Sequence, residues 1–494
     1  MIGIGKKSGN FQQVFWLMLS QFSSYLSIFL STAVLSRYLP RQEYGTYSQI
    51  LYIYTMLMSV FTVGLPSVFS YFIPKIDNGQ QKYFINSVNK LLFISGFLFS
   101  LLLYLSSDLI SDLLKNPALS IGLKIFSPFP LFTLPTIGIE GIYTALRDTK
   151  TVALYQSFSR VILMVCIVTP VVFYNTSYEG AIVGWGVASV ITFFLSMYLK
   201  NRPYKEVETK KIHNVFKNIF EYSLPLMGAS LAGLGITAAD QFFISRYYGE
   251  VEFAKYTNGS LSIPIILIVA VSIKKVLIPL FSKAETEGTI SEAMNSYTSI
   301  VNKSIVFSFP IIIFSIIFSE EIVTIVYGIN YVESAKYMRY YLIRDFLQVI
   351  PYLAIFLAFG MSRIYFYMHV IGVFFVWITG WIVVELKMDP VLIVLNRSIF
   401  YVGCTIFAVI FLAKNKGLKL LTKDMMYKIF IVFLQSLFFA IIVFYISHFD
   451  MFKEFNLVLL LVSSVILFYA LLLSTSKIFN VNHLESFNYI IKRK

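Results

Sequence analysis

Charge is what this chain has least of. Only 13% of its 494 residues are charged, about half the share of a soluble protein, too few to coat a water-exposed surface of ordinary size. Cysteine is nearly missing: Cys166 and Cys404 both sit inside apolar runs, which excludes a disulfide framework and leaves two buried thiols. The four histidines (His213, His369, His448 and His483) are never clustered with cysteine or aspartate, so no metal site is expected. No glycine-rich loop leads into Gly-Lys-Ser/Thr, which removes a nucleotide-hydrolysing engine. No polar loop is long enough to hold a catalytic domain, so no catalytic residue is assigned and the chain reads as something other than an enzyme.

What is present is hydrophobic length. Apolar residues make up 57% of the chain, in runs of 18 or more that recur throughout, the pattern of an all-α polytopic membrane protein. A formal charge of +14 on a soluble chain would point to nucleic acid. Here lysine and arginine gather in the loops of one side, about 24 against about nine, which orients the chain with both termini in the cytoplasm and leaves no role for nucleic acid. The first run follows Lys6 and Lys7, is long and lacks a small-residue cleavage site, so it is a retained helix and not a signal peptide.

About fourteen spans are expected. Six lie at 15–36, 47–73, 88–107, 119–146, 152–174 and 180–199. Six more lie at 219–246, 254–281, 297–318, 336–360, 364–385 and 390–412, and a last pair at 428–447 and 456–474. The expected domains are an N-terminal lobe (1–199), a basic cytoplasmic connector (200–217), a C-terminal lobe (218–413), a second basic connector (414–427), and the final helix pair with its tail (428–494).

A duplication supports that division. Ser36-Arg37-Tyr38-Leu39-Pro40-Arg41-Gln42-Glu43-Tyr44-Gly45-Thr46-Tyr47-Ser48 returns as Ser245-Arg246-Tyr247-Tyr248-Gly249-Glu250-Val251-Glu252-Phe253-Ala254-Lys255-Tyr256-Thr257. About five positions are identical, where chance gives roughly one. Both copies fall in the external turn that follows the first span of a half. The halves therefore enter the membrane in the same direction, as in transporters built from two repeats. Arg37 and Arg246 fall at helix C-termini, where they anchor at the interface before they serve as substrate contacts. Pro225, Gly228, Gly233 and Gly235 mark the seventh span as bendable.

A second set of candidates consists of charges deep within spans, each costing about 2.5–3.5 kcal/mol at a helix centre. Glu140 and Arg160 lie about ten residues either side of a turn near Lys150, hence at one depth of about 15 Å, and form either a structural pair or one that a substrate or a proton opens. Asp240, Arg344, Asp345 and Arg397 lie at one level of the second half. Arg344 and Asp345 are about 100° apart around their helix, so Asp345 is expected to pair with Arg397, leaving Arg344 and Asp240 nearer a cavity. Lys274 and Lys275 lie about two turns from the cytoplasmic end of the eighth span, where they either snorkel to the interface or stand at the cavity mouth. The substrate candidates are thus Arg160, Arg344, Lys274, Lys275, Arg397, Arg37 and Arg246. This cationic excess suits phosphate or carboxylate groups.

The stretch Leu35–Tyr47, the following Val63-Gly64-Leu65-Pro66 and the echo at Ser245–Thr257 resemble Wzx-type polysaccharide flippases of the multidrug/oligosaccharidyl-lipid/polysaccharide exporter superfamily. The resemblance implies two six-helix lobes in a V-shaped arrangement plus two C-terminal helices, with a cationic cavity lined by helices 1, 2, 7 and 8. It implies transfer of an undecaprenyl-pyrophosphate-linked O-antigen or capsule repeat unit from the inner to the outer leaflet of the bacterial cytoplasmic membrane by alternating access. The final helix pair would then hold the lipid tail or pack on the lobe. No cofactor is implied. A proton or sodium gradient supplies the energy, with Asp240, Glu140 and Asp345 as the ion-coupling candidates. Expected partners are the lipid-linked glycan, membrane lipids, and the polysaccharide polymerase and glycosyltransferases of the same pathway. The competing readings are a cation or drug antiporter of the same superfamily and, further off, a membrane glycan polymerase.

Overall fold

A computed structural model describes residues 10–62, 64–260, 263–449, 456–479, 481 and 483; Lys6, Lys7 and the basic C-terminal tail lie outside them. Among the described residues every regular element is helical. In chain order these are α1 (Asn10–Tyr38), α2 (Arg41–Phe61), α3 (Leu65–Phe72), α4 (Asn78–Leu114), α5 (Ala118–Phe126), α6 (Phe129–Thr133) and α7 (Ile139–Ala145). Then come α8 (Thr149–Tyr174), α9 (Tyr178–Asn201), α10 (Val215–Gly259), α11 (Pro264–Glu287), α12 (Ile290–Ile317) and α13 (Ser319–Tyr327). The last are α14 (Ser334–Leu347), α15 (Tyr352–Ala358), α16 (Ser362–Glu385), α17 (Val391–Lys416), α18 (Lys423–Ser447) and α19 (Leu457–Ser474). Among the described residues ten helices are long and apolar enough to cross a membrane, or up to twelve if each of the bent pairs α2–α3 and α14–α15 is one span. With α1 and α10 the total comes to about fourteen. The chain is a multi-pass membrane protein.

Contacts divide it into two compact units, Met1–Ala254 and Lys255–Lys494. In the first, α1 packs along α8 and α8 along α9, around a core that includes Phe69, Phe84, Leu92, Ile142 and Val152. The span expected at 119–146 is present as one crossing, Ala118–Ala145, built of three short helices in succession. Pro130 and Pro135 withhold backbone N–H groups, and Gly138 turns the chain at φ 107°. The carbonyls freed at that break are met by Lys200, in the last turn of α9 and fully buried. Its ammonium donates to Pro135 O (2.7 Å), to Asn89 Oδ1 (2.8 Å) and to Ile137 O. Lys200 therefore does not open the solvated connector, because α9 runs on to Asn201.

The repeated stretch behaves unlike two separate turns. The first copy breaks at Pro40, which precedes α2. The second lies within α10, which stays helical past Pro225, Gly228, Gly233 and Gly235 and breaks only at Gly249 (φ 83°, ψ 176°), the position matching Pro40. The two copies mate. A Cβ on Gly45 would stand 2.1 Å from the carbonyl oxygen of Glu250, and Gln49 Nε2 donates to Ser245 Oγ at 2.8 Å. Asn116 Nδ2 completes this buried network by donating to Gln49 Oε1 at 2.7 Å. Through these contacts α10 up to Ala254 belongs to the first unit, whereas the sequence places the lobe boundary near residue 217.

In the second unit α14 packs along α17, α16 along α17, and α12 along α18. Phe314, Phe318, Phe439 and Phe468 form a shared core that ties the final helix pair to this unit.

Candidate substrate site

The site begins with a proline. Pro351 has no N–H to give Leu347, so α14 ends at Leu347 and α15 restarts at Tyr352 with a bend of 41°. The carbonyl of Leu347 accepts instead from Ile350 N at 3.0 Å, and Ile350 O from Tyr352 N at 2.9 Å. Non-helical backbone within a span is tolerated where it lines a cavity, and one lies here, about 320 Å³ in volume and bordered by Gln348, Ile350 and Pro351. Two cations reach it, Lys274 from α11 and Arg344 from α14. Opposite them in composition are Tyr352 of α15, Tyr365 and His369 of α16, and Tyr401 of α17. No aspartate or glutamate lines it.

The cations differ in how they are held. Arg344 Nη2 lies 3.1 Å from Asp345 Oδ1, and its guanidinium sits 4.3 Å from the centre of the Tyr341 ring. Arg397, itself buried, sits 5.1 Å from the same ring, a cation–π arrangement for both. Asp345 is fully buried, and its Oδ1 also accepts from Gln348 Nε2 at 2.6 Å. Lys274 has no carboxylate partner among the described residues, so its charge is available to a ligand.

A contact beyond the expected pairings joins Arg344 and Asp345 themselves. Asp345 is bound by its sequence neighbour Arg344, because the long arginine side chain folds back across the 100° that separates them. Arg344 nonetheless lines the cavity. Asp240 is fully buried and lies in the first compact unit, whereas Arg344, Asp345 and Arg397 lie in the second. Lys275, one position past Lys274, is exposed and outside the cavity lining.

Glu140 accepts from Gln156 Nε2 at 3.0 Å, and among the described residues no ion pair joins it to exposed Arg160. The physical reason is register. The α7–α8 turn is centred on Asp148, whose side chain caps α8 by accepting from Thr151 N at 3.2 Å, and not on Lys150. That shift moves the partner of Glu140 from Arg160 to Gln156. Arg37 lies exposed in the last turn of α1. Arg246 donates to the carbonyl of Leu113 in the last turn of α4 and packs 5.5 Å from the Tyr247 ring. The sequence reading overlooked Gln348, Tyr352, Tyr365, His369 and Tyr401. Pro351 was the available signal, a proline inside a run taken as one continuous span.

A model of the family described as polysaccharide biosynthesis protein matches residues 11–285, more than half of the chain. The chain belongs to that family. No curated protein matches it in sequence. Among solved structures it is similar to the lipid II flippase MurJ in an inward closed conformation, at TM-score 0.71 and 15% identity, covering 94% of this chain and 99% of that one. It is also similar to an inward-facing multidrug resistance MATE family transporter of the MOP superfamily, at TM-score 0.65 and 12% identity over 82% of this chain and 99% of that one. A third is a MOP superfamily transporter from Pyrococcus furiosus Vc1 whose binding pocket is described as of reverse polarity, at TM-score 0.55 and 13% identity, over 86% and 94%. The fold of this polysaccharide biosynthesis protein is that of MOP superfamily flippases and transporters.

Proposed function

We propose that this protein carries an anionic, lipid-linked oligosaccharide repeat unit, joined to undecaprenyl through a diphosphate, from the inner to the outer leaflet of the bacterial cytoplasmic membrane. One observation carries the reading: the cavity at the broken α14–α15 span presents Lys274 and Arg344 and no acidic side chain. Cations in a largely desolvated site favour phosphate oxygens, and such a lining repels the cationic drugs that an antiporter would export. Family membership supports a glycan as the cargo. Movement of the substrate is the whole task, with no bond made or broken. Both termini are assigned to the cytoplasm, and the polymerase and glycosyltransferases of the same glycan to its surroundings. Asp240, Asp345 and Glu140 are the coupling candidates for a proton or sodium gradient.

The deciding experiment is depletion of the protein, followed by determining which leaflet holds the lipid-linked intermediate. Accumulation on the inner leaflet, reversed by the wild-type chain and poorly reversed by Lys274→Ala, is expected. Single repeat units gathering on the outer leaflet would favour a polymerase. Unchanged surface glycan together with lost resistance to toxic cations would favour an antiporter.

A further inference from the structure

Two cations account for an anion, yet half of this cavity is of a different chemistry. His369 lines it from the second turn of α16 and is 8% exposed. Its Nδ1 lies 3.1 Å from the carbonyl oxygen of Tyr365. A carbonyl only accepts, so Nδ1 carries the proton and, in the neutral ring, Nε2 is an acceptor. The ring is held in place by Tyr365, whose centroid is 4.0 Å away, so the direction of that acceptor is fixed. A fixed acceptor has nothing to offer a phosphate, which in its ionised form is itself acceptor-only. It does suit an O–H group. Beside it stand the hydroxyl-bearing side chains of Tyr352, Tyr401 and Thr405 and the amide of Gln348, which give and take hydrogen bonds as sugar hydroxyls do.

From this arrangement we infer that His369 is a specificity-determining residue, one that makes the cavity select an anion bearing hydroxyls next to its charge. The ligand class is a glycosyl phosphate or diphosphate: the charge lies toward Lys274 and Arg344, and a sugar hydroxyl donates to His369 Nε2. The inference rests on the anion-binding reading above and adds a separable requirement to it. Lys274 supplies affinity for any anion, whereas His369 supplies the difference between a bare diphosphate and one that carries a sugar.

Two probes test this on the purified full-length protein by isothermal titration: a short-chain prenyl diphosphate, and the same molecule with one hexose on its terminal phosphate. The wild type is expected to bind the sugar-bearing probe about tenfold more tightly, the worth of about one well-made hydrogen bond. His369→Phe keeps the ring and removes the acceptor, so the ratio of its affinities for the two probes is expected to fall to about one. His369→Gln restores an acceptor and is expected to recover part of the preference. Lys274→Ala weakens both probes alike. Failure of the wild type to bind either probe overturns the proposed function itself. Equal binding of the two probes, or a preference that survives in His369→Phe, overturns the role of His369 and leaves the anion site standing.

Discussion

Two lysines show how differently one residue type is used here. Lys274 faces a cavity with no acidic partner, and replacing it by alanine removes charge without orphaning a neighbour. Binding of a prenyl diphosphate by Lys274→Ala is expected to fall by about tenfold or more, in line with about 1.5–3 kcal/mol for a charge-assisted bond, with the thermal midpoint unchanged. Lys200 is the reverse case. Its three protons meet three acceptors around the α6–α7 break, so Lys200→Met leaves buried oxygens without donors at about 1–3 kcal/mol each. A markedly lower unfolding midpoint in detergent is the expected result. A midpoint equal to wild type would mean that water replaces the ammonium. Neither role is legible from the sequence, where Lys200 sits at the head of a run of loop cations and Lys274 looks no different from Lys275. The difference comes from which side of a helix meets a neighbouring break, and that depends on partners distant in the chain.

At the scale of elements, the spans themselves are legible because bilayer crossing demands apolar length. The breaks are less so. Pro135 and Pro351 are visible as prolines, but a proline in a span is compatible with a mere kink, and only the neighbours show that one break is filled by Lys200 while the other opens a cavity. Pro351→Ala tests the difference. It returns an N–H that can reach the Leu347 carbonyl and let the span run on as one helix. The variant is expected to be at least as stable as the wild type yet defective in glycan export, because the straightened span closes the cavity. Full export with a raised midpoint would detach the break from function.

The segment after α19 has its own sensitivity. His483 Nε2 lies 3.2 Å from Gln435 Oε1 of α18, and burial pushes its imidazole down to about 4 from the ordinary 6.5. A histidine depressed by burial is held neutral in the folded state, so the stability of this buried site is complete above pH 6.5 and is lost as the pH falls toward 4. Hydrogen exchange around Gln435 should accelerate over that window, and in His483→Phe it should not.

For the whole molecule, the family match ends at residue 285, while Arg344, Tyr352, His369 and Tyr401 lie beyond it. The matched part of the chain thus covers the first unit and reaches α11, and most of the cavity lining lies beyond it. The duplication was readable as a repeated string; that its copies mate was not, since a sequence shows likeness and not contact. Gly45 supplies the test: valine there places side-chain atoms inside the Glu250 backbone, and overpacking costs about 1–3 kcal/mol or more. Gly45→Val is expected to insert in the membrane with lost export, whereas a bulky residue at open Gly403 should be tolerated.

That mating also bears on how the chain could have changed over time. A duplicated segment ordinarily frees one copy to drift. Here each copy is the other's template: the carbonyl of Glu250 forbids a side chain at position 45, and Ser245 answers Gln49. A side chain added at position 45 must therefore be accommodated by the backbone of the other copy at Glu250.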